Sequence, residues 1–180
     1  MTSCDLPPEP VEISAGRIQL RPWEERLAAE LLEACRDPDL GRLPGGPPAA
    51  TLEGARAWIG GRAQAWQRGA QLAFAVQEPT TAVLLGGFDL RELVEDEARL
   101  VGWVAPGARR RGIATAAAAT LTRWGFGALG LERIRLDHVV GDAVACAFAR
   151  RSGFAVGPPD LTGNTCPTGH HLRSSDDPAP

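Results

Sequence analysis

The chain has 180 residues, of which 44% are hydrophobic and 23% are charged, values that are ordinary for a single globular domain. The formal net charge of −3 disfavours a nucleic-acid-binding protein, because no surplus of cations is available to neutralise phosphates. All 19 basic residues are arginine. The four scattered cysteines, the absence of a signal-peptide pattern and the lack of a long apolar run predict a cytoplasmic protein with free thiols and no membrane span.

The two ends lack apolar periodicity, so residues 1–12 and 174–180 are expected to be flexible tails around one domain at 13–173. In the first half, alternating apolar residues predict a strand and leucines at helical spacing predict a helix, which Asp37-Pro38 ends. Thr51 is an expected N-cap for a second helix. The predicted elements are a strand at Arg17–Trp23, helices at Glu24–Cys35 and Ala55–Arg68, and a loop at Gly41–Pro48 between the helices.

The second half begins with three strand candidates separated by short turns, which predicts an antiparallel meander. A long alanine-rich helix follows, and then shorter strands and a helix, so that the whole pattern indicates an α+β fold. These elements are the strands Gln71–Val76, Val83–Leu90 and Ala98–Val104, the helix Gly112–Leu129, the strand Ile134–Val140, the helix Ala143–Arg151, and short strands at Phe154–Val156 and His170–Arg173.

The most informative stretch is Gly102–Thr115, with the sequence GWVAPGARRRGIAT, where a strand ends and a helix begins after a short loop. Backbone N–H groups in the first turn of a helix have no internal partner, and the helix dipole favours an anion there. Gly112 permits close approach of a ligand to the backbone, and Arg109–Arg111 add positive charge. The stretch therefore indicates a pyrophosphate site, although a solvated helix start would have the same residues.

The segment Arg109-x-x-Gly112-x-Ala114 resembles the Q/R-x-x-G-x-G/A signature of the GNAT N-acetyltransferases. Further similarity covers most of the chain, from Arg17 to Val156. Leu100–Val104 resembles the strand before the signature, Trp124–Gly130 with Glu132-Arg133-Ile134 resembles the continuation after it, and Arg151–Phe154 resembles the family's K/R-x-G-F close. Arg17–Trp23 and Asp37-Pro38 are similar to the branch that acetylates ribosomal proteins, the Rim-type group.

The resemblance implies a GNAT-like mixed, mostly antiparallel central sheet, flanked by helices on both faces and splayed at its central strands. It implies acetyl-coenzyme A as co-substrate, and transfer to a primary amine that attacks the thioester directly in a ternary complex. Homodimers are common among such proteins, so a homodimer is a possible assembly. The residues implied to bind the cofactor are Trp103, Val104, Arg109, Arg110, Arg111, Gly112, Ile113, Ala114, Thr115, Asp142, Phe148 and Arg151.

The chain departs from the family pattern at positions that usually carry acid–base chemistry. The frequent Asn and Ser before the last helix are Asp142 and Ala145, the Rim-type Glu falls on Gly157, and the acidic residue of the central strand aligns with Arg99.

Three catalytic candidates remain. His138 is a candidate base or a structural histidine, Asp142 a candidate amine ligand or an N-cap, and Cys146 a candidate proton donor or a packing residue.

The acceptor is first expected to be a small cationic amine, aminoglycoside-like or a polyamine, because Glu92, Glu95, Asp96 and Glu97 form an acidic turn. Asp37 and Asp39 suggest the same, and both acidic groups have a plain surface interpretation. A protein N-terminal α-amine is the alternative that the Rim-type similarity implies. A non-catalytic acyl-coenzyme A-binding module is the rival class, because the usual acid–base residues are missing.

A metal site near the C-terminus is not expected. Cys166, His170 and His171 have the spacing C-x₃-H-H without a convincing fourth ligand.

Overall fold

The fold was obtained as a computed structural model, which describes residues 6–43, 46–47, 50–139, 141–156 and 169–178. The strands are β1 (Ile13–Ala15), β2 (Ile18–Pro22), β3 (Gln71–Gln77), β4 (Leu84–Val94), β5 (Glu97–Val104), β6 (Arg133–Asp137), β7 (Ala155–Val156) and β8 (His170–Ser174). The α-helices are α1 (Ala28–Ala34), α2 (Pro38–Arg42), α3 (Leu52–Gln67), α4 (Ile113–Leu129) and α5 (Ala143–Arg151). Short 3₁₀ turns at Glu25–Leu27 and Pro106–Ala108 precede α1 and α4.

The strands of the described residues form one sheet in the order β1-β2-β3-β4-β5-β6-β8-β7. Neighbouring strands are antiparallel except β5 and β6, which are parallel. The parallel pairing runs from Glu97 opposite Arg133 to Leu100 opposite Leu136, and β5 continues beyond it to Val104 beside β4 alone. The predicted α+β class and the splay between the central strands are confirmed.

The sheet is covered on both faces, as β3 illustrates. Leu72, Phe74 and Val76 contribute to a core with α4, whereas the alternate residues Ala73 and Ala75 contribute to a second core with α1, α2 and α3. Side chains alternate between the faces of a strand, so a strand covered on both sides is apolar throughout. On α4, Ala117 and Ala118 have no exposed surface, which lets the helix axis lie close to the strands.

A buried ionic network joins the sheet to α3. The carboxylate of Asp89 on β4 is 5% exposed and accepts hydrogen bonds from Arg91 at 2.6 Å and from Gln71. The guanidinium of Arg62 lies 3.9 Å from the same carboxylate and 4.2 Å from the centre of the Trp58 ring. One negative charge inside the protein is therefore held between two positive charges.

The structure differs from the predicted elements in three places: a missed strand, a missed short helix and one wrong boundary. Strand β1 was missed because it has only three residues, which pair with β2 through a turn at Gly16 (φ 59°). Asp37-Pro38 does end α1, but Asp37 then caps the N-terminus of α2, where proline suits the first turn. Strand β6 ends at Asp137 rather than Val140, so His138 follows the strand and is not part of it.

Described residues close to both ends of the predicted domain at 13–173 contact the rest of the protein, and the bounds of the domain stay a prediction. Leu6 and Val11 pack against the main core, and the indole nitrogen of Trp66 donates to the carbonyl oxygen of Pro7 at 3.1 Å. At the other end, Ser174 lies within β8 and the backbone N–H of Ser175 donates to Glu132 at 2.9 Å. Contacts with the domain therefore fix residues on both sides of the predicted 13–173 boundary.

Among the described helices, none combines the length and the apolar character that crossing a membrane requires.

Candidate active site

The loop between β5 and α4 contains two residues with left-handed backbone directly before the helix. Arg110 (φ 61°) and Gly112 (φ 72°) both have left-handed backbone, and Gly112 is the N-cap of α4. The first intrahelical bond runs from Ala116 N–H to the Gly112 carbonyl at 3.1 Å. The preceding N–H groups of the helix start, including those of Ala114 and Thr115, thus point out of the helix toward an anion site.

Arg17, in the turn between β1 and β2, reaches the same loop. A Cβ atom placed on Gly112 would lie 2.9 Å from a terminal nitrogen of the Arg17 guanidinium. The guanidinium therefore lies against the backbone of the helix start, where it adds a positive charge to the anion site. Sequence analysis did not include Arg17 among the site residues. The turn that positions Arg17 depends on β1, and a strand of three residues is too short for a recognisable pattern.

The three arginines of the loop have different surroundings. Arg109 forms an ion pair with Asp37 at the start of α2, and its Nε donates to the Val104 carbonyl at 3.4 Å. Arg110 and Arg111 are exposed. Arg109, which is also exposed, connects the loop to α2, and the contact of all three arginines with the cofactor stays a prediction.

Strand β5 presents one backbone edge to the gap beside β6. The N–H of Ala105 donates to Leu85 of β4 at 2.9 Å, and because N–H groups alternate sides, those of Val104 and Gly102 face away from β4. The Trp103 side chain is 7% exposed and stacks on Trp23, with ring centres 6.2 Å apart. The predicted role is therefore available to the backbone of Val104, whereas the backbone of Trp103 faces Gly87 of β4 and its ring belongs to the core.

Asp142 has a structural partner at the start of α5. Its carboxylate accepts hydrogen bonds from the N–H groups of Val144 at 3.0 Å and Ala145 at 2.9 Å, as an N-cap does. Further along α5, Phe148 packs partly against the main core, and Arg151 is exposed in the last turn. All three predicted residues thus lie on α5 or at its start.

A cluster of three side chains lies where β6, α5 and β8 meet. The ligand-type atoms of His138, Cys146 and His171 all lie within 4.8 Å of one another. His138 Nε2 is 3.1 Å from His171 Nε2. The close approach depends on Gly169, where a Cβ would lie 2.1 Å from the His138 carbonyl oxygen. Sequence analysis treated His138 and Cys146 as separate catalytic candidates and considered His171 only with Cys166 and His170, so it did not predict this cluster.

The hydrogen bonds define the protonation of this cluster. His138 Nδ1 is 2.9 Å from the Val139 carbonyl oxygen, which can only accept, so Nδ1 carries the hydrogen. A neutral His138 then presents the lone pair of Nε2 to His171. Burial lowers the pKa of His171, and the charge of a protonated His138 lowers it further. Neutral imidazole is therefore the favoured form of His171.

The acidic turn between β4 and β5 is already paired with arginines. Glu92 is 2.7 Å from Arg99 and also forms an ion pair with Arg135, while Arg133 is 2.7 Å from Asp96 and 3.3 Å from Glu97. The turn also lies at the end of β5 and β6 where the two strands are hydrogen-bonded, away from the splay. Its charge is therefore largely balanced.

Two positions from the sequence analysis have no structural outcome. Cys166 and Gly157 lie outside the described residues, as does the side chain of His170. The C-x₃-H-H arrangement and the position aligned with the Rim-type Glu therefore remain sequence predictions.

Comparisons with known proteins agree with this geometry. The model of the acetyltransferase (GNAT) domain matches residues 17–155. No curated protein matches the chain. A candidate ribosomal-protein-serine acetyltransferase from Vibrio cholerae is 20% identical, with a TM-score of 0.77 and coverage of 96% of this chain and 99% of that one.

Two further solved structures contain the cofactor or its product. RimL, a ribosomal alpha-N-protein acetyltransferase in complex with coenzyme A, is 16% identical with a TM-score of 0.75, covering 91% of this chain and 98% of that one. MccE, a microcin self-immunity acetyltransferase in complex with acetyl-CoA and AMP, is 16% identical with a TM-score of 0.72, covering 94% and 98%. At such identities these structures establish the shared fold.

The match of the family model over most of the chain, together with the splayed central strands and the left-handed glycine N-cap of α4, leads to one assignment. The chain belongs to the GNAT family of acetyl-CoA-dependent acetyltransferases.

Proposed function

We propose that the protein transfers the acetyl group of acetyl-CoA to the α-amine of a peptide or protein N-terminus. The observation that carries the proposal is the combination of a complete cofactor loop with a reduced set of acid–base residues. The pyrophosphate would bind the N–H groups at the start of α4 with help from Arg17. The thioester would lie in the gap beyond Leu100 and Leu136, near the backbone N–H of Val104.

Because few acid–base side chains are present, the site favours an acceptor amine of which a substantial fraction is already neutral. An α-amine has a pKa of about 7.7–8.0, so about one molecule in ten is neutral at pH 7. A side-chain amine with a pKa of about 10.4 is neutral in only about one molecule in 2,500. Direct attack by a neutral amine then requires mainly proximity and an acceptor for one proton.

The case for a small cationic acceptor is weaker than the sequence indicates. It depended mainly on the acidic turn, where Glu92, Asp96 and Glu97 form ion pairs with arginines of β5 and β6. Asp37, which suggested the same acceptor, is paired with Arg109. RimL is named an alpha-N-protein acetyltransferase and the Vibrio cholerae protein a ribosomal-protein-serine acetyltransferase, which favours a protein acceptor, whereas MccE is named a microcin C7 self-immunity acetyltransferase. The cationic amine is therefore the second acceptor to test.

The test is coenzyme A release with a matched panel of acceptors. One peptide has a free N-terminus and no lysine; a second has an acetylated N-terminus and one lysine; spermidine and an aminoglycoside complete the panel. We expect release with the first peptide alone. The protein contains no lysine, so its own side chains add no ε-amine background. Release with spermidine or the aminoglycoside, and none with the free peptide, would assign the cationic acceptor instead.

His138 is proposed to accept the proton of the attacking amine at Nε2, when that atom leaves its contact with His171, because the residue directly follows β6 beside the splay. We expect His138→Ala to lower kcat by about 10²–10⁴-fold, the range for loss of a general base, while the Kd for coenzyme A changes little. Steady-state kinetics and calorimetry measure the two quantities. Val139→Ala, at a side chain that is 62% exposed, is the neighbouring control. A near-normal kcat in His138→Ala would leave the histidine with a structural role.

A further inference from the structure

We infer that His138, Cys146 and His171 form a binding site for Zn²⁺, and that the metal inhibits the enzyme when it binds. The inference about binding depends only on these three side chains, whereas the inhibition also depends on the proposed proton-accepting role of His138. The sequence analysis expected no metal, because the cysteine and histidines it considered were a different set.

The donor atoms suit zinc in type and in spacing. Imidazole nitrogen and thiolate sulfur are the ligands that zinc prefers, at about 2.0–2.1 Å and about 2.3 Å. Two imidazole nitrogens on one tetrahedral zinc ion then lie about 3.3 Å apart. The observed separation between the Nε2 atoms of His138 and His171 is 3.1 Å, and the Cys146 sulfur lies within 4.8 Å of both. Small side-chain movements would bring all three atoms to bonding distance.

The surroundings hold the ligands in place. His138 donates its Nδ1 hydrogen to the Val139 carbonyl at 2.9 Å, which directs the Nε2 lone pair into the cluster. A histidine that binds zinc typically donates its other ring hydrogen to a carbonyl or carboxylate in this way. His171 is 1% exposed and Cys146 is 8% exposed, so two of the three ligands are in the protein interior. The cluster is thus preorganised by three different elements, β6, α5 and β8.

Three protein ligands leave the fourth zinc position for water or for a thiol. This arrangement is the one found in zinc sites that keep an open position. A zinc ion bound here would occupy the Nε2 lone pair of His138, the same electron pair that is proposed to accept the amine proton. Metal binding and acetyl transfer therefore exclude each other.

The experiment measures metal binding without acetyl-CoA, so that it does not depend on activity. Full-length protein is stripped with a chelator, and Zn²⁺ is titrated in competition with a chromophoric chelator. Co²⁺ serves as a spectroscopic probe, because a thiolate ligand produces a charge-transfer band. We expect one Zn²⁺ per chain. Since losing a residue that only supports a ligand costs about 10–100-fold in affinity, Cys146→Ser and His171→Ala should each cost at least about 100-fold.

The controls separate this site from other thiols. Cys35→Ser removes a cysteine outside the cluster, and Cys166→Ser removes the cysteine considered in the sequence analysis. Both should leave the affinity and the Co²⁺ band unchanged. Binding that is lost in Cys166→Ser and retained in Cys146→Ser would overturn the assignment, as would equal affinity in all variants. Zinc binding at one equivalent without inhibition would refute the inhibitory role of the metal.

Discussion

Replacing Gly112 with glutamate should abolish measurable coenzyme A binding while the fold persists. The new carboxylate would stand at the helix start where the pyrophosphate is expected, and like charges in close contact cost several kcal/mol. It would also lie beside the Arg17 guanidinium, 2.9 Å from the position of the new Cβ, and would neutralise that cation. We expect the Kd for coenzyme A, measured by calorimetry, to rise at least about 100-fold.

The matched control is Gly130→Glu, at the opposite end of the same helix. Gly130 has φ 67°, close to the 72° of Gly112, and a Cβ there would meet nothing within 4 Å. The two variants therefore introduce the same side chain into the same strained backbone, at a cost of roughly 1 kcal/mol in stability. Circular dichroism should show native helix content in both. Equal loss of affinity in the two variants would mean that general destabilisation, rather than the anion site, explains the result.

The largest effect on stability is expected for Asp89→Asn. Burial by itself raises the pKa of Asp89, and the guanidinium groups of Arg91 and Arg62 oppose that shift. Removing this negative charge takes the shared carboxylate away from two partly buried cations, Arg62 and Arg91. Loss of one partner of a buried ion pair costs about 3–5 kcal/mol, and partial exposure of the arginines favours the lower value. A loss of about 3 kcal/mol lowers Tm by roughly 6–12 °C in a chain of this size.

Glu33→Gln serves as the control for Asp89→Asn. Its partner Arg36 lies 2.7 Å away, but the side chains of the pair are 67% and 72% exposed, so the free energy of unfolding should change by less than about 0.5 kcal/mol. Urea denaturation of both variants measures the contrast. A change below about 1 kcal/mol in Asp89→Asn would show that the arginines find solvent or other partners, and that the network contributes little to stability.

Elements with a strong local pattern could be predicted from the sequence. The meander β3–β5 has three apolar runs with short turns, and α4 has a glycine and a helix-forming alanine run at its start, so both were confirmed. Thr51 was also confirmed as an N-cap, since its hydroxyl accepts from Gly54 N–H at 3.0 Å. In each case the information lies within a few adjacent residues.

Features that depend on distant contacts could not be predicted in the same way. His171 joins His138 only because β8 pairs with β6, and no pattern in the sequence specifies that pairing. The acidic turn appeared available to a ligand because its arginine partners, Arg99 and Arg135, are separated from Glu92 along the chain. Arg17 reaches Gly112 from another part of the fold. The sequence therefore indicated the parts of the candidate site that depend on adjacent residues. It did not indicate the parts that depend on contacts between distant residues.

The stacking of Trp103 on Trp23 gives the protein an internal optical reporter. Trp58 extends the pair with an edge contact, its ring centre 5.0 Å from that of Trp23, so three of the five indoles form one group. The chain contains no tyrosine, and its ultraviolet emission therefore comes from indole alone. Because Trp103 belongs to the strand that borders the splay, quenching or a spectral shift of this emission gives a label-free signal for cofactor titration.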